Sequence, residues 1–589
     1  MKKIVGILFV SLIVTQAVFA QNNWRSKVAP KVLIKYTEGE NLDLLVQFKV
    51  KADISAAKSI TSKAAKGRFV YDALRSTAHS TQKRTLQWAE KHHFQSQSFY
   101  VVNAIRLVMP SSYLEELASF DEISFVSDNG LMKFHEPVEK YTTNLRGPNG
   151  IEWGIDMINA NDVWALGYRG EGVVVGGEDT GYDWTHPALQ SKYRGWDGTI
   201  ADHNYNWHDA IHELNPLNGD TTNNPLNNPC GLDSKVPCDD GSHGTHTMGT
   251  MIGSTLDDTI GVAPAAKWIG VRNMERGWGK PSTYIEAFEW FIAPTDLDNQ
   301  NPNPDKSPDV INNSWGCPPQ EGCDLSNFNI MNAVVANVKA SGIVVVVSAG
   351  NSGSGCGSVD DPAAIFEESF SVGATRQNDT IANFSSRGSV TVDGSNRTKP
   401  NVSAPGVGVR SSIPGNDYAF FSGTSMAGPH VVGAVALILS AAPELKGNVD
   451  VIEDILEQTA VPKYSDQSCG GIDGSALPNN TYGYGRIDVL KAVELALLTV
   501  SSGETFLKNP SVNVFPNPVS KDLYFDVKDL KGELNIEIFD ALGKIIFKSK
   551  ELSSGNRLVK CELHDENHGM YFYKLTGQNL QLTGKFLKI

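Results

Sequence analysis

Three glycine-rich stretches each hold one side chain able to take part in acyl transfer. Asp179 stands in Glu178-Asp179-Thr180-Gly181 and His243 in His243-Gly244-Thr245-His246. Ser425 stands in Gly423-Thr424-Ser425-Met426-Ala427-Gly428-Pro429-His430. A serine hydroxyl is a poor nucleophile until a neighbouring base removes its proton. Imidazole titrates near neutrality and can accept that proton and return it. A buried carboxylate fixes the imidazole tautomer and stabilises its cation. A fourth stretch, Ile343 to Ser348 followed by Ala349-Gly350-Asn351, supplies an amide able to donate to a tetrahedral oxyanion.

These side chains need a scaffold that gathers them. Val173 to Gly176, Trp268 to Val271, Val310-Ile311 and Ile343 to Val347 read as buried strands. Tyr284 to Ile292, Asn327 to Ala340 and Ala427 to Leu439 read as helices. Their alternation over residues 150–500 predicts an α/β fold, a parallel sheet with helices on both faces. Sites in such sheets form at the carboxyl ends of strands, where Asp179 falls. Ser425 is expected at a helix N-terminus, where free amides favour negative charge, with Pro429 in the first turn. His246 and His430 read as packed structural residues, and Trp315 as a packing or cleft-wall residue.

Two smaller units flank this one. Residues 31–130 read as α+β: a strand over Leu42 to Val50, a helix over Tyr71 to Lys91, a strand over Tyr100 to Met109, a capping box at Ser112-x-x-Glu115 and a strand over Ile123 to Val126. Residues 131–150 read as an exposed linker. Residues 511–589 alternate with a period of two and predict a small antiparallel β-sandwich.

Hydrophobic residues make up 41% of the 589, enough for a sizeable core. The net charge of −15 argues against a nucleic-acid binder. Residues 21–150 carry 18 basic and 13 acidic side chains, and residues 151–504 carry 19 basic and 43 acidic, so the two segments are suited to attract each other. Lys2-Lys3, the apolar run Ile4 to Val14 and Ala17-Val18-Phe19-Ala20 form a signal peptide over 1–20, and no other run has the length to span a membrane. Seven cysteines fit an oxidising compartment. Cys230 with Cys238, and Cys317 with Cys323, have the spacing of local disulfides; Cys356 and Cys469 remain as a pair and Cys561 is left over, although spacing alone does not fix connectivity. There is no CxxC pair and no GxxxxGK[ST] stretch to indicate structural zinc or a nucleotide.

In order and context, Asp179, His243 and Ser425 with Ala349-Gly350-Asn351 resemble the subtilisin-like serine peptidases. Ile260-Gly261-Val262-Ala263-Pro264, Phe384-Ser385-Ser386-Arg387-Gly388 and Lys399 to Gly406 carry the same resemblance over residues 150–500, and Asn312-Asn313-Ser314-Trp315-Gly316-Cys317 is similar to the bacillopeptidase F-like branch. The resemblance implies an endopeptidase of three-layer α/β/α fold. Ser425 is then the nucleophile, His243 the base and acid, Asp179 its orienting partner, and Asn351 with the Ser425 amide the oxyanion hole. Ser314, Trp315 and Gly316, with Ser348, Ala349 and Gly350, would line the substrate cleft. Many relatives hold a calcium through an Asp where this chain has Ala188, so no metal or cofactor is assigned, Asp257 and Asp258 notwithstanding. Residues 21–140 resemble an inhibitory propeptide, cut off between about 130 and 150. Val514-Phe515-Pro516-Asn517-Pro518, Gly569 to Phe572 and the terminal Lys585 to Ile589 resemble the sorting domain of the type IX (Por) secretion system. The resemblances together imply a secreted or surface-attached monomer, made as a zymogen. Its partners would be protein or peptide substrates, its own propeptide and the type IX machinery. The competing readings are a silent surface adhesin on the same fold and an acyl-transfer enzyme such as an esterase.

Overall fold

The computed structural model describes residues 24–133, 137–142, 150–218, 228–314, 316 and 325–501. In the C-terminal part it describes 512–515, 518–527, 531–540, 543–554, 557–563, 567–577 and 580–588. The signal peptide, Trp315 and the Cys317–Cys323 pair lie outside the described residues.

The middle unit is built on seven strands. In spatial order they are Val402–Pro405, Phe370–Thr375, Val344–Ser348, Val310–Asn313, Val174–Asp179, Lys267–Arg272 and Trp207–Asp209. Every neighbouring pair is parallel. The central strand Val344–Ser348 is β-branched and apolar because both its faces are covered, and its successive side chains serve opposite cores. Val344 and Val346 pack with the helices Thr424–Ala441 and Val489–Ser501. Val345 and Val347 pack on the other face with Pro281–Ile292 and Leu325–Ala340. The chain leaves Val174–Asp179 toward one edge of the sheet and later returns to build the other. Asp179 therefore ends a strand at the point where strand order reverses, where α/β sheets open a crevice. The helix Thr424–Ala441 is long and apolar enough to cross a membrane, but 94% of its residues are buried inside the protein.

The leader folds as a four-stranded antiparallel sheet, ordered Gln95–Phe99, Ala104–Pro110, Asn41–Phe48 and Ile123–Asp128, with the helix Lys63–Lys91 across it. Four expectations need correcting here. The helix starts eight residues before Tyr71, at Lys63, because Lys63 and Lys66 are spent on the middle unit rather than on an apolar stripe. The expected strand over Tyr100 to Met109 is broken by a turn at Tyr100–Asn103, with Asn103 at φ 49°. The amides of Tyr100 and Val101 leave the sheet and donate to Glu289 of the middle unit at 2.5 and 2.8 Å. The capping box at Ser112 does not form: Ser111–Tyr113 is a 3₁₀ turn, and the helix Leu114–Ala118 begins without a side-chain cap. Lastly, part of the expected linker is paired. Met132–Lys133 adds antiparallel to Trp278–Gly279, and Glu139–Thr142 to Asp417–Ser422. The middle unit's open strand edges satisfy the leader's backbone groups, and Met132 is buried in the apolar cluster that includes Ile285 and Phe288.

The C-terminal unit is the expected antiparallel sandwich. One sheet holds Val512–Phe515, Asp522–Val527 and Arg557–Glu562; the other holds Ile545–Ser554, Lys531–Phe539, Gly569–Gly577 and Leu580–Lys588. Leu523, Phe525 and Val527 meet Leu534, Ile536, Ile538 and Phe586 between them. The disulfides Cys230–Cys238 and Cys356–Cys469 are formed, and Cys561 is a free thiol buried in the sandwich, its pKa pushed up to about 12 by burial.

Candidate active site

Asp179, the last residue of its strand, is wholly buried, and His243 opens the helix His243–Ile252 beside it. His243 Nδ1 lies 2.8 and 2.9 Å from the two oxygens of Asp179. The carboxylate also accepts from Thr180 N at 2.8 Å and Thr247 Oγ1 at 3.4 Å. An acceptor on both sides of Nδ1 keeps its proton there and leaves Nε2 as the basic nitrogen.

The approach of the two segments requires glycine at two positions. Gly181 has φ +108°, and a Cβ there would lie 1.8 Å from the Cys238 carbonyl oxygen. A Cβ at Gly244 would lie 2.0 Å from the Gly181 carbonyl oxygen. Asp239 then ties the loops together, accepting from Thr180 Oγ1, Gly241 N, Ser242 N and the amide and hydroxyl of Thr245, all within 2.6–2.9 Å. Burial raises its carboxyl pKa against the pull of these donors. Sequence reasoning missed Asp239; its place directly before Asp240-Gly241-Ser242-His243 was the available signal.

Ser425 is the second residue of the helix Thr424–Ala441, which packs against the His243 helix. Its amide is among the first four of the helix and has no intrahelical acceptor. Its hydroxyl donates to the Ser314 carbonyl at 3.2 Å and makes no hydrogen bond to His243. Pro429 lies inside the helix, not in its first turn as expected, because the helix begins three residues earlier than the apolar pattern suggests. Its missing N–H would have bonded the Ser425 carbonyl. Ser314 Oγ takes that acceptor instead, at 3.1 Å, and is itself held by Asn312 Nδ2 at 2.8 Å.

Asn351 is fixed by Thr424, whose amide and hydroxyl both donate to Asn351 Oδ1 at 2.9 Å. With Oδ1 engaged, Nδ2 points the other way. A Cβ built on Gly423 would lie 3.6 Å from Asn351 Nδ2 and 3.7 Å from the Ser425 amide nitrogen, so the two donors address one small volume beside the Ser425 backbone. Thr424 was not singled out from sequence, although it sits between the glycine and serine of the same motif.

His246 and His430, the other two histidines of these motifs, are structural. His246 Nε2 lies 3.1 Å from both the Val409 and Ala419 carbonyls, and its ring stacks on Phe421 with centroids 4.1 Å apart. Burial, helped by nearby His243, lowers its pKa to about 3. His430 Nδ1 meets the Met426 carbonyl at 2.8 Å, and burial lowers its pKa to about 4. At the position where many relatives hold calcium, the Ala188 side chain offers no ligand atom, and Asp258 is paired with Arg410 at 3.0 and 3.2 Å. Ser314, Gly316, Ser348, Ala349 and Gly350 lie at the carboxyl ends of the strands Val310–Asn313 and Val344–Ser348, the two that follow Asp179's strand across the sheet.

Residues 170–485 match the subtilase family, and residues 513–589 match a secretion system C-terminal sorting domain. The chain belongs to the subtilase family. It is 36% identical over 502 residues to bacillopeptidase F of Bacillus subtilis, covering 80% of this chain and 32% of that protein. It is 31% identical over 389 residues to subtilisin E of Bacillus subtilis, covering 65% of this chain and 82% of the relative. A thermophilic serine proteinase of a Bacillus species is 30% identical over 346 residues, with 57% and 70% covered. The chain thus spans about a third of bacillopeptidase F and about four fifths of subtilisin E. As a subtilase with a sorting domain, it is a subtilisin-like serine peptidase directed to secretion.

Proposed function

We propose that the protein is a secreted serine endopeptidase, made as a zymogen, in which Ser425 attacks the peptide carbonyl of extracellular protein substrates. The observation that carries this reading is the buried Asp179–His243 pair, with His243 on a helix packed against the one whose second residue is Ser425. Ser425 Oγ leaves the Ser314 carbonyl and passes its proton to His243 Nε2 as it bonds to the substrate carbon. The imidazolium then protonates the leaving amine, and water repeats the sequence on the acyl-enzyme. Asn351 Nδ2 and the Ser425 amide receive the oxyanion at each tetrahedral stage. Ser314 and Gly316 on one side and residues 348–350 on the other hold the substrate as an added strand.

Residues 21–140 act as the propeptide. Their support is the shared core of Leu45, Val70, Leu74, Phe99 and Met132 with Ile285, Phe288 and Val335 of the peptidase. Among the described residues, three of the four charge pairs across the boundary run from a leader cation to a peptidase acid: Lys63–Asp309, Arg68–Asp305 and Arg106–Glu213. The fourth, Lys280–Asp43, runs the other way. Residues 511–589 direct export through the type IX machinery, after the signal peptide at 1–20 has been removed.

A serine-directed phosphonate tests the catalytic claim. The processed protein should be labelled and should cut casein, and Ser425→Ala should lose both. Processed wild type that is neither labelled nor active would instead favour the adhesin reading, and ester turnover without peptide cleavage the esterase reading.

A further inference from the structure

We propose that Asp239 is a positioning residue for the reaction: its carboxylate caps the helix that begins at His243 and keeps that imidazole able to act as a base. The inference rests on the catalytic reading above and deepens it by adding a residue that acts through others. His243 is the first residue of its helix. The first amides of a helix lack intrahelical acceptors and hold its positive end. That position disfavours the imidazolium, which the mechanism must form. The residue before the helix does not offset this, since Ser242 has φ 67° and makes no side-chain cap. Asp239 takes its place. Its Oδ1 accepts the amides of Gly241 and Ser242 at 2.9 and 2.8 Å, and its Oδ2 accepts the amide and hydroxyl of Thr245 at 2.9 and 2.6 Å. Thr180 Oγ1 donates to Oδ1 at 2.8 Å and itself accepts the Gly244 amide at 3.0 Å. The amides of both Gly244 and Thr245 thus end on one carboxylate, the first of them through Thr180. Thr180 N also holds Asp179 Oδ1, at 2.8 Å. A single side chain therefore fixes the helix that carries the base and the strand end that carries its partner.

Burial works against the Asp239 charge, but each of its five partners donates to it, which favours the ionised form. The other charged and titratable groups around this helix end are engaged elsewhere or neutral. Asp240 pairs with Arg272 at 3.1 Å, and Glu275 with Arg276 at 2.6 Å. Asp183 accepts from Thr185 and Gly415. Arg410, on the strand packed along the helix, is held by Glu152 and Asp258. Burial keeps His246 and His430 neutral and the Tyr182 hydroxyl protonated. Glu178 precedes Asp179 on its buried strand, and Lys140 of the leader acts on His246. Removing the Asp239 charge leaves the positive helix end facing His243 without its anion, so the ring gains its second proton only at lower pH.

The test compares Asp239→Asn with the parent in the full chain, expressed and processed. Plateau kcat should fall about 10- to 100-fold with KM within about threefold. The acid limb of kcat/KM should move to lower pH by about 0.3–1 unit. Val345→Ala, a cavity in the sheet core, should lower thermal stability and leave the limb in place. A second readout needs no turnover. In the full chain carrying Ser425→Ala, the low-field NMR signal of the His243 Nδ1 proton steps downfield as the ring gains its second proton. Adding Asp239→Asn should bring that step to lower pH by the same amount. A limb or step that stays in place or moves to higher pH overturns the proposal, and so does an equal displacement in Val345→Ala. Should Asp239→Asn fail to fold, the hydroxyl between Asp239 and Gly244 decides. Thr180→Val should displace the step to lower pH and Thr180→Ser should leave it in place, and equal behaviour of the two overturns the proposal. A wild type that is unlabelled by the phosphonate and inert on every substrate removes the catalytic reading. The NMR step then still decides whether Asp239 acts on His243.

Discussion

Lys63→Met in the leader should release much of its grip on the peptidase. Lys63 Nζ donates to the carbonyls of Ser307 and Pro308 at 3.2 and 2.6 Å and to Asp309 Oδ1 at 2.9 Å. Asp309 is 5% exposed. Truncating one member of a buried interfacial charge pair costs about 2–5 kcal/mol. Here the lower part of that range applies, because Asp309 Oδ2 keeps the Val174 amide at 3.0 Å and Lys446 at 3.2 Å and is not orphaned. A loss of about 2–3 kcal/mol weakens inhibition about 30- to 150-fold. Five residues on, Arg68 pairs with Asp305, but these side chains are 59% and 37% exposed. Such a pair is worth about 0.2–1 kcal/mol, so Arg68→Ala should cost about fivefold at most. The assay is the inhibition constant of residues 21–140 added to the processed peptidase, at about 0.1 and about 1 M salt. Screening should erase the Arg68 effect and spare the Lys63 effect. Equal losses from the two substitutions, or a Lys63 effect that vanishes in salt, would refute the claim that burial rather than long-range charge sets the affinity.

Asn351→Ala should lower kcat about 10²–10³-fold with little change in KM, the signature of a donor used only on the oxyanion; a rise in KM alone would count against that role. Against burial, which opposes its charge, Glu286 and Asp233 hold the His212 pKa up at about 10. Its contribution to stability is thus complete below its ordinary value of about 6.5 and is lost as pH rises toward 10. In a Ser425→Ala background, thermal melts of His212→Gln should converge on the parent as pH goes from 6 to 10, and parallel curves would contradict this. Cys356 and Cys469 close a loop of 113 residues. Replacing both with serine should cost about 2–5 kcal/mol in denaturant unfolding, and an unchanged midpoint would show that the closed loop gives no stability.

The peptidase core was legible because its strands are unbroken apolar runs and its functional residues sit in short motifs at element ends. Val344 to Val347 can only be a strand buried on both faces, and Asp179 follows from the strand before it. What escaped reading lies where one unit completes another. Lys63 and Lys66 look like solvent-facing residues before a helix, yet each bonds the peptidase. Tyr100-Val101 reads as strand because it is apolar, but its amides turn outward to Glu289. Glu139–Thr142 carries no apolar alternation, and its pairing comes from the open edge at Asp417–Ser422.

The link between Ser314 and Ser425 bears on how the nucleophile waits. Ser314 Oγ donates to the Ser425 carbonyl, and Ser425 Oγ donates to the Ser314 carbonyl. Pro429 makes the first bond available by leaving that carbonyl without a helical donor. A neutral hydrogen bond of this kind contributes about 0.5–1.5 kcal/mol, so turning the Ser425 hydroxyl toward His243 costs at most about tenfold in population. The hydroxyl is thus parked on an uncharged acceptor, near enough in energy to the reactive rotamer for substrate binding to tip the balance. The same proline that removes a hydrogen bond from the helix at its functional end frees the carbonyl that holds Ser314 Oγ. Helix, wall and nucleophile are consequently set by one pair of serines.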